Sequence, residues 1–121
     1  MDRQRQGAAA EEQAREFLEQ RGLTPVCANY RCRGGELDLV MLEGGTLVII
    51  EVRQRSSDHF GAASETIDRH KRRRIVYAAE HLLMTRPALR RHPARFDVIT
   101  VSGTAGAAEL GWIRNAFLAE R

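Results

Sequence analysis

Residues 35 to 53 read GELDLVMLEGGTLVIIEVR. Two apolar runs rich in Leu, Val and Ile flank Gly44-Gly45, and a two-glycine break between such runs predicts a β-hairpin. With Glu43 paired to Thr46 across the turn, Asp38 faces Glu51 and Glu36 faces Arg53. A four-residue loop closed by Leu42 and Leu47 gives the same register. Opposed side chains on one sheet face lie about 4.5–5.5 Å apart at Cβ. Two carboxylates held that close repel one another unless a proton or a divalent cation sits between them. The chemistry of the chain is expected in this stretch.

By the period of two, Glu36, Asp38, Val40 and Leu42 share a face with Leu47, Ile49, Glu51 and Arg53, while Leu37, Leu39 and Met41 take the other. Both faces are largely apolar, which predicts a hairpin central in its sheet and covered on both sides. Carboxylates in such a place are rarely left without a partner.

Towards the N-terminus, residues 4–21 read as an amphipathic helix with Ala10, Ala14, Phe17 and Leu18 on one face. Glu11 falls at the edge of that face, Glu12 points away, and Gly22 suits the helix end. Pro25 to Arg31 is expected to be the first strand, and Arg31, Arg33, Gly34 and Gly35 lead through a turn into the hairpin. Towards the C-terminus, residues 54–63 read as a polar loop ending in Phe60-Gly61. Ser64 is the expected N-cap of a helix reaching Met84, with Glu65 and Asp68 in its first turn. Ile67, Ile75, Ala78, Ala79, Leu82 and Leu83 make its apolar stripe. Lys71, the single lysine of the chain, lies on that inward stripe, whereas Arg72 and Arg73 splay outward. A loop over residues 85–95, a strand over 96–101, a turn over 102–107, a weaker strand over 109–114 and a short terminal helix over 115–121 complete the order. The pattern is helix, three strands, helix, two strands, in a single domain over residues 1–121.

Of 121 residues, 43% are hydrophobic and 29% charged, ordinary values for a globular chain. No apolar run approaches the roughly 20 residues of a membrane span, and the first residues lack the apolar core of a signal peptide. A cytoplasmic protein with no membrane partner is expected. The net charge of +3 is unevenly spread: residues 1–68 hold 8 Arg and 12 acids, residues 69–121 hold 11 Lys or Arg and 4 acids. The basic half suits a polyanionic partner.

Asp38, Glu51 and the carbonyl of Val52 together offer hard oxygen donors to Mg²⁺ or Mn²⁺, leaving the remaining positions to water and phosphate. A cation there polarises a phosphodiester and lowers the pKa of a bound water. The competing reading is a structural Glu–Arg network in which Arg53 neutralises Glu36. The four histidines, at 59, 70, 81 and 92, form no metal-ligand spacing; His70 and His81 are about 16 Å apart on one helix. Cys27 and Cys32, five apart in an extended segment, are separated by about 16 Å, beyond disulfide reach. No Gly-rich phosphate loop or nucleophile elbow is present.

Ala10-Glu11 with Ala14 and Leu18, Asn29-Tyr30-Arg31, Gly35 to Leu39, Val48 to Arg53, Arg55-Ser56, Phe60-Gly61, Lys71-Arg72 and Arg95 to Val98 resemble, in order, the blocks of the bacterial YraN family. That family is similar to the PD-(D/E)XK nuclease superfamily, archaeal Holliday-junction resolvases above all. The resemblance implies an α/β, restriction-endonuclease-like three-layer fold: a mixed central sheet of about five strands flanked by helices. It implies a divalent-metal-dependent deoxyribonuclease acting on branched or processed DNA. Asp38 and Glu51 would be metal ligands and Glu11 the helix-borne acid of the same site. The superfamily's motif lysine falls at Arg53. Arginine stays charged and cannot serve as a base, though it can stabilise a developing negative charge. Either the cation's own water or Lys71 then takes the lysine's role. Arg31, Arg33, Arg55, Arg69, Arg72 and Arg73 would contact DNA phosphates. Resolvase-like folds often cut as dimers, so a homodimer is within the resemblance. The alternatives are a non-catalytic DNA-binding or adaptor domain that keeps the fold, and a protein-interaction module whose carboxylates only satisfy local arginines.

Overall fold

The computed structural model describes residues 3–55, 67–103 and 108–119, with side chains from Gly7 and not that of Arg55. The elements, in order, are α1 (Arg3–Glu19), β1 (Thr24–Cys32), β2 (Gly35–Glu43), β3 (Thr46–Arg55), α2 (Arg69–Thr85), a 3₁₀ turn (Pro87–Arg91), β4 (Ala94–Ser102) and β5 (Glu109–Phe117). The strands form one sheet in sequence order. β1–β2, β2–β3 and β4–β5 are antiparallel, and β3–β4 are parallel, joined through α2. The fold is therefore α/β, a three-layer arrangement around a mixed five-stranded sheet, consistent with the restriction-endonuclease-like architecture.

The alternation in the hairpin sorts its side chains between two cores. Val40, Leu47 and Ile49 pack with Phe96, Val98 and the α2 residues Ile75, Ala78, Ala79 and Leu82. Leu39, Met41, Val48 and Ile50 pack with Ile99, Val101 and the α1 residues Ala10, Ala14 and Leu18. Covered on both faces, the hairpin is central, as its composition requires. Leu37 breaks the alternation: it joins the α2 side although Leu39 lies on the α1 side.

The expected register holds from Glu43–Thr46 through Leu42–Leu47 to Leu39–Ile50. There the ladder between β2 and β3 stops. β2 remains paired to β1 as far as Gly35–Cys32, and β3 to β4 as far as Arg55–Ser102. The two central strands therefore part, leaving a notch in the sheet, and Glu36 and Arg53 are not a ladder pair.

Three further expectations need correction. The helix carrying Lys71 starts at Arg69, not after Ser64: Asp68 is its N-cap, with extended backbone and a carboxylate accepting from the Lys71 N–H at 2.8 Å. Asp caps as well as Ser, and the nearer cap wins; Ile67 is buried but precedes the helix. Ser64, Glu65 and the Phe60-Gly61 loop lie outside the described residues. The terminal helix over 115–121 is instead strand as far as Phe117, because Phe117 pairs with Phe96 and stacks on it with ring centroids 4.9 Å apart. Arg72 is half-buried, with its Nε shielded from solvent, while Arg73 is exposed as expected.

At the hairpin end of the sheet a polar cluster is tied together by ion pairs and hydrogen bonds. Asp97, completely buried, accepts from Arg95 Nε, from Trp112 Nε1 at 2.9 Å and from the Asn115 backbone N–H at 3.0 Å. Arg95 and Arg114 also hold Glu43, whose carboxyl is lowered to about 2 by hydrogen bonds from both. Cys27 and Cys32 are unpaired and half-buried. Among the described residues no helix is long and apolar enough to cross a membrane.

Candidate functional site

The notch between β2 and β3 is where the acids meet. In an antiparallel ladder the N–H and C=O of one residue face the same neighbouring strand. Thr46, Val48 and Ile50 of β3 face β2 in this way, and Val52 is the next in phase. Its N–H, with no ladder partner from β2, donates instead to Asp38 Oδ2 at 2.9 Å. The carboxylate thus takes the place of a missing rung. The Val52 carbonyl faces the same strand, so Asp38 and that carbonyl lie at the same gap.

Glu51, one residue earlier, points to the α2 side and is buried, 6% exposed. Its carboxyl is pushed up to about 7, first by burial and then by the charge of Asp38, and a hydrogen bond between the two carboxyl groups pushes the same way. Lys71 opposes the shift: its ammonium donates to Glu51 Oε2 at 2.9 Å. Lys71 comes from the first turns of α2, set in place by the Asp68 cap on its own N–H. Half of its side chain is exposed, so the stem reaches in from the surface and only the ammonium enters the site.

Glu11 approaches from α1. It is half-buried, and its carboxyl is raised by burial and by the charge of Asp38; Glu36 adds to the rise, while Asn29 and Arg31 lower it. Four expected residues, Glu11, Asp38, Glu51 and Lys71, are thereby brought into one electrostatic field. Arg53 lies two residues beyond Glu51 on β3, paired with Thr100 of β4 and half-buried.

Asn29 is the participant that the sequence concealed. It sits within β1 with φ of 54°, a left-handed conformation that Asn tolerates better than other side chains. The twist turns its amide towards Glu11, which it hydrogen-bonds. The signal was an asparagine inside an otherwise extended run.

Among the described residues no three Asp, Glu, His or Cys side chains form a ready-made metal cluster. Asp38, Glu51 and the Val52 carbonyl nevertheless form a donor set suited to a small hard cation. Mg²⁺ is commonly held by one or two carboxylates, with water and phosphate completing its shell. The repulsion that lifts Glu51 is the second observation in favour, because a cation between the two groups relieves it.

The expected phosphate contacts lie around this end of the sheet. Arg31 and Arg33 leave β1, Arg69 and Arg73 open α2, and all four are exposed. The side chain of Arg55 lies outside the described residues.

The model of the uncharacterised protein family UPF0102 matches residues 10–101. The chain belongs to UPF0102, the YraN family. The matched segment contains Glu11, Asp38, Glu51, Arg53 and Lys71. UPF0102 proteins of Ectopseudomonas mendocina and Xanthomonas axonopodis pv. citri are each 50% identical to it, over 92% of both chains in the first case and over 98% of this chain and 95% of the relative in the second. A Pseudomonas putida UPF0102 protein is 47% identical over 93% of both chains.

Proposed function

We propose that this UPF0102 chain is a divalent-metal-dependent deoxyribonuclease that hydrolyses phosphodiester bonds in branched or processed DNA. The observation that carries the reading is the convergence of Asp38, Glu51 and Lys71 in a notch of the sheet, with Glu11 within the same field. Nothing in packing a hydrophobic sheet requires two carboxylates there, and their mutual repulsion works against folding.

Asp38, Glu51 and the Val52 carbonyl would hold Mg²⁺ or Mn²⁺. When bound, the cation supplies Lewis-acid polarisation of the scissile phosphate and a more acidic water. Asp38 is oriented by the Val52 N–H. Lys71 pairs with the neighbouring Glu51 carboxylate and is placed to bind a phosphate oxygen or to orient water, the role that Arg53 cannot take as a base. Arg53 supplies fixed positive charge to the transition state. Glu11 acts as an accessory acid on the α1 side. Arg31, Arg33, Arg55, Arg69, Arg72 and Arg73 are the proposed backbone contacts, and two copies of the chain would cut two strands.

The test is calorimetric titration of Mn²⁺ into wild type and Asp38→Asn, followed by cleavage of a labelled four-way junction in the same buffer. Binding lost in the variant together with cutting by wild type supports the reading. Absence of binding in both overturns it. The arginine at position 53 favours one second reading, a DNA-binding domain that keeps the fold without cutting. Metal binding and junction binding without cleavage would select it. Lys71→Ala with cleavage unchanged would remove Lys71 from the mechanism.

A further inference from the structure

Three large apolar side chains are notably exposed among the described residues: Tyr77 at 51%, Met84 and Leu118. Of these, Tyr77 stands among exposed arginines. On α2 it is three and four residues from Arg74 and Arg73, which share its side of the helix and are exposed. Its ring lies over the turn between β1 and β2. A Cβ added at Gly34 would come within 2.9 Å of Tyr77 Cε2, and one at Gly35 within 2.2 Å of the Arg74 carbonyl oxygen. The two glycines thus let the turn lie close against α2, and exposed Arg33 immediately precedes them in that turn. The ring borders the turn at Gly34 and half of the side chain is open to solvent.

Tyr77 is six residues from Lys71, about 9 Å along the helix axis, and Gly34 is four residues from Asp38, about 13 Å along the strand. At about 3.4 Å per stacked step, these spans correspond to some three or four nucleotides. We propose that Tyr77, set among Arg33, Arg73 and Arg74, is a stacking platform for an unpaired base, so that substrates of the acidic site carry single-stranded DNA close to the scissile phosphate. This rests on the nuclease reading and names its substrate class. A surface that gripped only phosphates would need arginines and no aromatic ring. A half-exposed ring among cations can take any base by its π-face, independent of sequence.

The competing explanation is that Tyr77 serves only to cover Gly34. Tyr77→Leu keeps an apolar cover and removes the π-face; Tyr77→Phe keeps both. Affinities are measured by fluorescence anisotropy for a single strand and a duplex of equal length, in chelator so that nothing is cut, with thermal unfolding as the check on folding. The expected result is that Tyr77→Leu weakens single-strand binding about tenfold and duplex binding less than about twofold, while Tyr77→Phe binds as wild type does. Equal losses on both DNAs, or no loss on either, overturn the platform and leave the nuclease reading standing. A wild-type protein that binds neither DNA overturns both.

Discussion

Glu51 is subject to opposing influences whose balance sets how the site responds to pH. Burial and Asp38 hold its proton on, Lys71 pulls it off, and the result lies at about 7 against an ordinary 4.5. The folded protein therefore keeps a proton that the unfolded chain releases. The stability this group contributes is full below pH 4.5 and is lost as pH rises through about 7, a difference of about 3 kcal/mol at most. Asp38→Asn keeps an acceptor for the Val52 N–H and removes a charge. It is expected to stabilise the fold at neutral pH by about 1 kcal/mol in urea unfolding while abolishing Mn²⁺ binding; a destabilised variant would contradict the repulsion. Cation binding requires the ionised carboxylate, so Mn²⁺ affinity should climb through pH 7 and level off above it. Lys71→Ala removes what opposes protonation, and the midpoint of that climb should move upward in calorimetry across pH. An unmoved midpoint would mean that the ion pair is too exposed to matter.

At the scale of elements, the hairpin was legible from its turn to Leu39–Ile50 because its alternation and its two-glycine turn agree with each other there. The pairs from Glu43–Thr46 to Leu39–Ile50 follow from counting. What counting could not reach was the end of the ladder. Asp38 and Glu51 were expected to face each other as a rung, whereas Asp38 turns into the sheet plane to take the Val52 N–H. Departure from a regular strand is a tertiary outcome, settled where Leu37 joins the α2 core. Lys71 was expected on the inward stripe but is exposed, with its ammonium paired to Glu51, and that partner depends on where α2 lands across the sheet. The landing is governed by Gly35, and Gly35→Ala is expected to cost about 1–3 kcal/mol and to shift α2 so that the Lys71–Glu51 pair is lost. Chemical denaturation and the pH midpoint of Mn²⁺ binding check the two parts. The terminal strand was misread as helix beyond Arg114 for a related reason. Asn115 bends β5 with φ of 52°, anchored by Asp97, a device with no periodic signature. Asp97→Ala should destabilise by about 3 kcal/mol or more in the same unfolding assay, by stranding Arg95 and Trp112.

For the whole molecule, the two ends of the sheet are chemically distinct. One end locks Glu43, Arg95, Asp97 and Arg114 into a closed network. The other keeps its acids close together and Arg31, Arg33, Arg69 and Arg73 exposed. The proposed DNA contacts belong to the second end. If five of those arginines meet phosphates, the logarithm of affinity should fall against the logarithm of salt concentration with a slope of about −4 to −5. A slope near −1 would take the DNA surface elsewhere. The outer strands β1 and β5 each carry a left-handed asparagine, Asn29 and Asn115, that interrupts a flat edge, and Pro25 removes a donor from β1. Pairing of copies through either edge is therefore disfavoured.

The two glycine pairs differ in what they would tolerate under random mutagenesis. Gly44-Gly45 announces the hairpin, yet a Cβ at Gly45 would meet nothing within 4 Å. Position 45 should accept most residues, and position 44, with φ of 58°, should accept asparagine. Gly35 admits a side chain only if α2 is displaced, because its neighbour is backbone. In a library selected for folding, the inconspicuous glycine would be the invariant one, and the conspicuous pair would drift.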